Sequence, residues 1–166
     1  MSTPAVVIVM GVSGAGKTTV GRALAQRLGW QFIEGDDLHP AANIELMAAG
    51  HALTDADRAP WLAALRAKIE RIMQSGGHAV IACSALKHSY RRVLAGETPE
   101  SVRFVQLDVP RDVLEQRLAH RHGHFMPASL LDSQLATLEG STTALRVDGT
   151  QPVESLVDQI ARWLSA

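Results

Sequence analysis

Short apolar runs alternate with stretches of helical periodicity along this chain. The first run, AVVIVM at residues 5–10, contains no polar residue. Such a run is typical of a central parallel strand that helices cover on both faces. Further short runs predict four more strands, at residues 31–34, 78–83, 102–109 and 144–148. The alternation predicts a three-layer α/β/α fold with a five-stranded parallel sheet, and we expect residues 1–166 to form a single domain.

Apolar residues at helical spacing lie between the predicted strands. They predict a first helix over residues 17–28, which Gly29 ends. Thr54 is followed three residues later by Asp57, which resembles a capping box with Asp in place of Glu and predicts the start of a long helix. The remaining helices are predicted from Pro40 through Met47, after Pro110, from Pro127 through Leu138, and over the closing residues 153–160.

One segment breaks this alternation. Residues 120–127, HRHGHFMP, offer little apolar surface to bury. We expect a mobile lid there, because lids close over a reacting phosphate, exclude water and bring in an Arg. Arg117 and Arg121 are four residues apart, so they share one helix face. The histidines of the segment are a weak zinc pattern, since neither Cys nor a carboxylate ligand lies near them.

Composition narrows the class of protein. The chain has 166 residues and a formal net charge of −1, so we do not expect a general nucleic-acid binder. Aromatic residues make up 4% of the chain, which argues against a base-stacking platform. The single Cys excludes an internal disulfide framework. No apolar run reaches the roughly 18 residues that span a bilayer. We expect a cytoplasmic protein without a membrane or nucleic-acid partner.

The loop after the first strand carries the most specific motif. Residues 11–18, GVSGAGKT, match the P-loop pattern G-x-x-x-x-G-K-[ST]. Glycines allow the backbone amides of such a loop to point at an anion beside a helix N-terminus. Lys17 is placed to reach the β and γ phosphates of ATP, and the Thr18 hydroxyl to ligate Mg²⁺. The predicted nucleotide-binding residues are Gly11, Ser13, Gly14, Ala15, Gly16, Lys17, Thr18, Thr19 and Arg117.

A P-loop predicts nucleotide binding, but it does not specify which reaction the protein catalyses. No N-K-x-D segment that would specify the base in a GTPase is present, and the chain is too short for a motor core. A small-molecule kinase fits best, with an acceptor pocket and a lid. Two alternatives stay open at this point: a kinase for another acceptor, such as shikimate or a nucleoside monophosphate, and a P-loop switch or assembly module without a small acceptor.

Acidic residues follow the second predicted strand, in the segment EGDDLHP at 34–40. Ligands of open parallel sheets bind beyond the carboxyl ends of the strands. We therefore assign Asp36 to the substrate hydroxyl, as a catalytic residue, and Glu34 to Mg²⁺ through water. The sequence leaves open whether Asp36 removes the proton or only orients the hydroxyl. His39 is a candidate hydrogen-bond partner of the substrate.

Several cationic groups are candidates for an anionic acceptor. Arg58 comes early in the third predicted helix, and an Arg binds a carboxylate through two parallel hydrogen bonds. Lys87 and Arg91 follow the third strand, at the edge of the sheet that bears ligands. His124 lies in the predicted lid. The sequence does not decide which of Lys87, Arg91 and His124 contacts the substrate.

Together these motifs resemble the small bacterial P-loop gluconokinases, which are relatives of shikimate kinase. The resemblance spans nearly the whole chain in the right order. Its most specific segments are EGDDLHP, then DRAPWL at 57–62, CSALK at 83–87 with Tyr90-Arg91, and GHFMP at 123–127. Further matches include Asn43, Met47 and the pair Ser133-Gln134.

The resemblance implies ATP-dependent phosphorylation of D-gluconate at its 6-hydroxyl, with Mg²⁺, and a sheet of strand order 2-3-1-4-5. By position, Asp36 and Arg58 would face the substrate, while Lys17, Thr18 and the lid residue Arg121 would face the phosphates. Family members often carry Asp where this chain has Glu34, whose longer side chain still reaches a metal-bound water. The segment 147–152 resembles the adenine-side loop of these kinases. Similar proteins are often dimers, so a homodimer is a further expectation.

Overall fold

The chain folds around a parallel sheet, seen in a computed structural model that describes residues 3–120 and 130–166. The strands are β1 (Val6–Met10), β2 (Gln31–Glu34), β3 (Ala79–Ala82), β4 (Val102–Asp108) and β5 (Leu145–Asp148). They are arranged in the order β2-β3-β1-β4-β5, and every neighbouring pair is parallel. The predicted five-stranded sheet and its order are confirmed.

Helices connect and flank these strands. They are α1 (Lys17–Leu28), α2 (Ala41–Ala48), α3 (Asp55–Gln74), α4 (His88–Ala95), α5 (Arg111–Ala119), α6 (Leu131–Thr137) and α7 (Val153–Ser165). Helix α1 packs against α7, and α3 packs against α4. Among the described residues, no helix is both long and apolar enough to cross a membrane. The described part of the predicted lid ends at His120, so Arg121 and His124 lie outside the described residues.

The centre of the sheet is the most deeply buried part of the fold. All five residues of β1 have no exposed surface, as expected for an apolar strand with helices on both faces. Because the strands are parallel, their carboxyl ends meet at one edge of the sheet. The loops after β1, β2 and β3 therefore lie side by side, and they carry the residues with candidate chemistry.

Helix α3 begins as its sequence predicts. The Thr54 hydroxyl accepts a hydrogen bond from the backbone N–H of Asp57 at 3.1 Å, and the Asp57 carboxylate accepts one from the Thr54 N–H at 2.9 Å. This reciprocal cap satisfies two donors that a helix start leaves unpaired, and such caps contribute about 1 kcal/mol. It fixes the first turn of α3, where Arg58 lies.

Helix α4 and two short 3₁₀ helices, Gly35–Leu38 and Pro99–Ser101, were not predicted. The apolar spacing does not predict helix α4, because one of the residues that this helix buries is Arg91. A buried arginine contributes nothing to the hydrophobic pattern from which helix faces are recognised. Residues 35–37 are Gly-Asp-Asp, residue types that favour turns, and a 3₁₀ helix is a closely related hydrogen-bonded structure.

Candidate active site

The P-loop joins the end of β1 to the start of α1. Gly11, Gly14 and Gly16 have φ angles of 153°, 87° and 95°, in the range that favours glycine. Gly16 precedes the first residue of α1, and as a glycine it has no side chain with which to cap that helix start. The first amides of α1 therefore point out of the loop as donors for an anion, with the helix dipole favouring negative charge. This geometry fits the phosphates of a nucleotide.

Two side chains fix the loop from inside. The Lys17 Nζ donates to the carbonyl oxygen of Val12 at 3.0 Å. The backbone N–H of Ser13 donates to Oε1 of Gln134 at 2.6 Å, and this bond is buried. Gln134 belongs to α6, so a helix late in the chain completes the wall of the loop.

A hydroxyl and a carboxylate form the candidate metal site beside the loop. The Thr18 hydroxyl donates to Oε2 of Glu34 at 2.5 Å. Burial raises the pKa of Glu34, the Thr18 bond opposes this shift, and the charge of Asp36 adds to it. Two hard oxygen donors next to a phosphate-binding loop are the ligand type that Mg²⁺ prefers. Thr18 and Glu34 thus fit the predicted metal site.

A cavity of about 380 Å³ connects the P-loop to the loops after β2 and β3. Its lining includes Lys17 and Thr18 on one side and Asp36, His39 and Arg58 on the other. The structure therefore brings together residues that the sequence predicts for nucleotide, metal and acceptor. The volume lies at the lower end of the range for small-molecule sites.

Trp61 holds the segment that carries Asp36 and His39. The indole Nε1 donates to the carbonyl oxygen of Gly35 at 2.8 Å. The indole ring also stacks on His39, with ring centroids 4.1 Å apart and an interplanar angle of 13°. Trp61 itself is buried in the core, with 1% of its surface exposed. A rigid aromatic side chain therefore fixes both ends of the short helix on which Asp36 lies.

A hydrogen-bonded network holds Arg58 at the cavity. Its Nη1 donates to the hydroxyl oxygen of Tyr90 at 2.9 Å, and that hydroxyl donates to Oδ1 of Asp55 at 2.5 Å. The Lys87 Nζ donates to the same carboxylate at 3.0 Å. Two hydrogen bonds lower the pKa of Asp55: the bond from Tyr90 has the larger effect and the bond from Lys87 the smaller one. Lys87 therefore acts on Arg58 through Asp55 and Tyr90, and it is not part of the cavity lining.

Arg91 lies behind the cavity wall. Its Nε donates to the carbonyl oxygen of Ala85 at 2.9 Å, and its Nη2 donates to those of Leu86 and Glu139. Ala85 has a φ of 44°, a left-handed conformation that costs a non-glycine residue roughly 1–2 kcal/mol. The guanidinium stabilises this strained turn, whose neighbour Leu86 lines the cavity. Arg91 thus supports the cavity wall and is not itself part of the cavity lining.

Arg117 lies on the other side of the P-loop from the acceptor cavity. Its guanidinium donates to the carbonyl oxygens of Gly14 at 3.0 Å and Gly149 at 2.9 Å. The loop between β5 and α7 is thereby tied to the P-loop, around a smaller cavity of about 250 Å³. This is where the sequence places the adenine side of the nucleotide, through Arg117 and the segment 147–152.

Comparison with known proteins identifies the family. A profile described as an AAA domain matches residues 6–141. The gluconokinase of Gluconobacter oxydans is 49% identical, over 98% of this chain and 93% of its own length. Among solved structures, a sugar kinase from Janibacter sp. HTCC2649 superimposes with a TM-score of 0.91 at 45% identity, covering 98% of this chain and 95% of its own. A gluconokinase from Sinorhizobium meliloti 1021 superimposes with a TM-score of 0.86 at 45% identity, covering 99% of this chain and 94% of its own. The chain belongs to the gluconokinase family.

In this gluconokinase-family chain, most of the predicted site residues meet in one place. The loop residues Ser13, Gly14, Gly16, Lys17, Thr18 and Thr19 line the acceptor cavity together with Glu34, Asp36, His39 and Arg58. Gly14, Gly16 and Thr19 also line the smaller cavity, where they are joined by Ala15 and Arg117. Gly11 is buried at the start of the loop. Lys87 and Arg91 lie outside the lining, and Arg121 and His124 lie outside the described residues.

The structure adds residues to which the sequence assigned no role. Gln134 contacts the P-loop, Tyr90 holds Arg58, and Asn43 contacts His39. All are among the residues by which the chain resembles gluconokinases, and that resemblance is the only sequence signal for them. Among the described residues, no group of three or more His, Cys, Asp and Glu side chains forms a metal cluster, and most of the histidine-rich segment lies beyond them.

Gly35 offers a direct test of how tightly the Asp36 segment is built. A Cβ at Gly35 would lie 2.4 Å from the carbonyl oxygen of Ala82, a backbone atom that cannot rotate away. We expect Gly35→Ala to cost about 1–3 kcal/mol and to lower Tm by roughly 2–12 °C. It should also lower kcat, because Asp36 is displaced with the backbone.

Gly77→Ala is the matched control for this substitution. There the nearest atom to a new Cβ is the Ser75 hydroxyl oxygen at 3.2 Å, which belongs to a side chain. Thermal melting and steady-state kinetics of both variants give the answer. An unchanged Tm and kcat in Gly35→Ala would show that the close approach of Gly35 to β3 is not required.

Proposed function

We propose that this chain transfers the γ-phosphoryl group of ATP to the 6-hydroxyl of D-gluconate, giving 6-phospho-D-gluconate. One observation carries the proposal: a single cavity joins the phosphate-binding loop to a carboxylate, a neutral imidazole and a guanidinium. Phosphoryl transfer requires a bound donor, a nucleophile held in line and cations that spread the developing charge. The family membership of the chain supports the same reaction.

On the donor side, the amides at the start of α1 and the Lys17 ammonium would bind the phosphates. Lys17 already lies within the loop through its bond to Val12, so little reorganisation is needed when a nucleotide binds. Arg117 and the loop after β5 would hold the adenine side. From the sequence resemblance, we propose Arg121 as a second cation at the transferred phosphate.

Mg²⁺, held by the Thr18 hydroxyl and by Glu34 through water, would neutralise charge on the phosphate oxygens when bound. The Thr18 hydroxyl has two lone pairs, so its oxygen can bind a cation while its O–H still donates to Glu34. Burial makes Glu34 more basic, which favours its role as an acceptor for a hydroxyl or a water proton.

On the acceptor side, Asp36 would bind the 6-hydroxyl and direct its oxygen at the γ-phosphorus. The bond from that oxygen to phosphorus forms as the bond from phosphorus to the β,γ-bridging oxygen breaks, and the hydroxyl proton passes to Asp36. Arg58 would bind the carboxylate of gluconate through parallel hydrogen bonds. His39 and, from the sequence, His124 would contact the remaining hydroxyls.

The decisive experiment measures ADP release with Mg²⁺-ATP and one acceptor at a time. The acceptors are gluconate, shikimate, adenosine monophosphate and none. We expect stimulation by gluconate, with the product identified as the 6-phosphate by ³¹P NMR. Stimulation by another acceptor alone would reassign the pocket. Nucleotide binding with no stimulation by any acceptor would favour a nucleotide switch.

Replacement of Arg58 tests the assignment of the carboxylate site. We expect Arg58→Ala to raise the KM for gluconate roughly 10- to 100-fold, since hydrogen bonds to charged groups contribute about 1.5–3 kcal/mol. The KM for ATP should change little. Tyr90→Phe removes only the hydroxyl that orients Arg58, so its effect on the gluconate KM should be in the same direction and smaller, about 2- to 10-fold.

Arg27→Ala is the control for loss of an arginine. Arg27 pairs with Asp158 on the surface, where both side chains are about half exposed, and we expect both KM values to be unchanged. Steady-state kinetics with each substrate varied in turn distinguishes the outcomes. An equal rise of both KM values in Arg58→Ala would contradict a carboxylate site and indicate a general structural role.

A further inference from the structure

The His39 ring is fixed by contacts on its face and on one of its nitrogens. Trp61 stacks on the face of the ring. The amide nitrogen Nδ2 of Asn43 lies 3.2 Å from Nδ1 of His39. Asn43 is one turn further along the chain and is buried, with 4% of its surface exposed. The ring has little freedom to turn, so the direction of each of its nitrogens is set before any substrate binds.

The second contact of Asn43 decides which atom donates. Its Nδ2 also donates to the backbone carbonyl oxygen of Asp57 at 2.8 Å. A carbonyl oxygen only accepts, so the nitrogen of the Asn43 amide must face it. The same nitrogen has a second hydrogen and no lone pair available, and this hydrogen is directed at Nδ1 of His39. Nδ1 is therefore the acceptor, and the proton of a neutral ring lies on Nε2.

We propose that Asn43 is a positioning residue: it holds His39 in the Nε2–H tautomer, so that the ring presents one uncharged hydrogen-bond donor to an oxygen of the acceptor. The proposal rests on the proposed function for the nature of that oxygen, which is a hydroxyl of a polyhydroxy acid. His39 lines the cavity, and its Nε2 has no hydrogen-bond partner within residues 3–120 and 130–166.

The charge state of His39 agrees with this role. Burial lowers the pKa of His39 to about 4, while the carboxylate of Asp36 acts against this shift and the guanidinium of Arg58 adds to it. The ring is therefore neutral at neutral pH. A neutral donor suits a hydroxyl, and it leaves Arg58 as the cation for the single carboxylate of the substrate. The tautomer thus contributes to specificity for a polyol over a second anionic group.

The tautomer can be observed without any substrate. The chain is labelled with ¹⁵N-histidine, and two-dimensional ¹H–¹⁵N spectra are recorded at pH 7, with the signals of His39 assigned by their loss in His39→Gln. We expect a protonated Nε2 and an unprotonated Nδ1. A protonated Nδ1, or a mixture of both tautomers, overturns the proposal. A clear Nε2–H signal in a chain that gluconate does not stimulate would overturn the proposed substrate and leave the tautomer assignment standing.

Asn43→Asp tests the consequence for substrate binding. A carboxylate at this position accepts from Nδ1, so it raises the pKa of His39 and moves the proton of the neutral ring to Nδ1. Below the new pKa both nitrogens carry protons and Nε2 still donates. Above it Nε2 becomes an acceptor, and the KM for gluconate should rise roughly 5- to 10-fold, the contribution of one neutral hydrogen bond. The parent KM should show no such step.

The pH dependence of the KM for gluconate distinguishes a positioning role of Asn43 from a purely structural one. A KM for gluconate that rises with pH only in Asn43→Asp supports the proposal, whereas a KM raised equally at every pH indicates a structural role and overturns it. Gln159→Glu, the same change of amide to acid on α7, is the control and should leave the pH profile unchanged. If Asn43→Asp fails to fold, the spectrum of the parent chain still decides the tautomer.

Discussion

We expect Asp36→Asn to lower kcat by about 10²- to 10⁴-fold, the range that a positioned proton acceptor contributes. Asn keeps the size of the side chain on the Gly35–Leu38 turn but can neither take the proton nor contribute a charge. If the transition state is loose, little base strength is needed and the loss lies at the lower end of this range. Binding of ATP should be nearly unchanged, because the P-loop lies on the other side of the cavity.

Asp37→Asn is the matched control, since Asp37 lies in the same turn and lines the same cavity but is more exposed than Asp36. We expect its kcat to stay within a few-fold of the parent value. The measurements are kcat with saturating substrates and ATP affinity by titration calorimetry. A loss confined to ATP affinity, or an equal loss of kcat in both variants, would contradict the assignment of Asp36 to the acceptor hydroxyl.

We expect removal of the Lys17 ammonium in Lys17→Ala to lower kcat by a comparable amount, about 10²- to 10³-fold, as for other donors that stabilise transition-state charge. The variant also loses the bond to the Val12 carbonyl oxygen, so the loop becomes less well fixed and the affinity for ATP should fall. Lys17→Arg retains the charge in a different shape and should recover only part of the rate.

Lys68→Ala provides the comparison with a lysine of α3 that is not part of the cavity lining. Its kinetics should match those of the parent. Single-turnover measurements with saturating ATP separate the chemical step from binding. Near-normal turnover in Lys17→Ala would exclude the proposed role of the P-loop lysine, whatever the effect on ATP affinity.

The sheet and the P-loop were predictable because their signals are local. An apolar strand followed by a glycine-rich loop and a helix specifies both the buried centre of the sheet and its phosphate site. The order of the strands depended on resemblance to a family, since hydrophobic patterns do not specify which strands are neighbours. Helix α4 was missed because it buries Arg91 against backbone carbonyls, an arrangement in which a charged residue takes a core position.

Residue types alone did not show which of the cationic side chains reach the cavity. Arg58, Lys87 and Arg91 have similar chemistry, and only their partners distinguish them. Arg58 reaches the cavity because a tyrosine 32 positions away holds it there, and Lys87 is bound to Asp55 at the same sequence separation. Such pairings depend on how helices pack against each other, which no window of sequence describes.

The bond between Ser13 and Gln134 joins residues 121 positions apart, and this distance has a consequence during synthesis. The P-loop leaves the ribosome before α6 and the loop after β5, which follow it along the chain. Until then the nascent chain lacks both Gln134 and the Gly149 carbonyl to which Arg117 binds. The complete nucleotide site therefore forms only after α6 and the loop after β5 have emerged, and the stabilising effect of a bound nucleotide on the fold begins then.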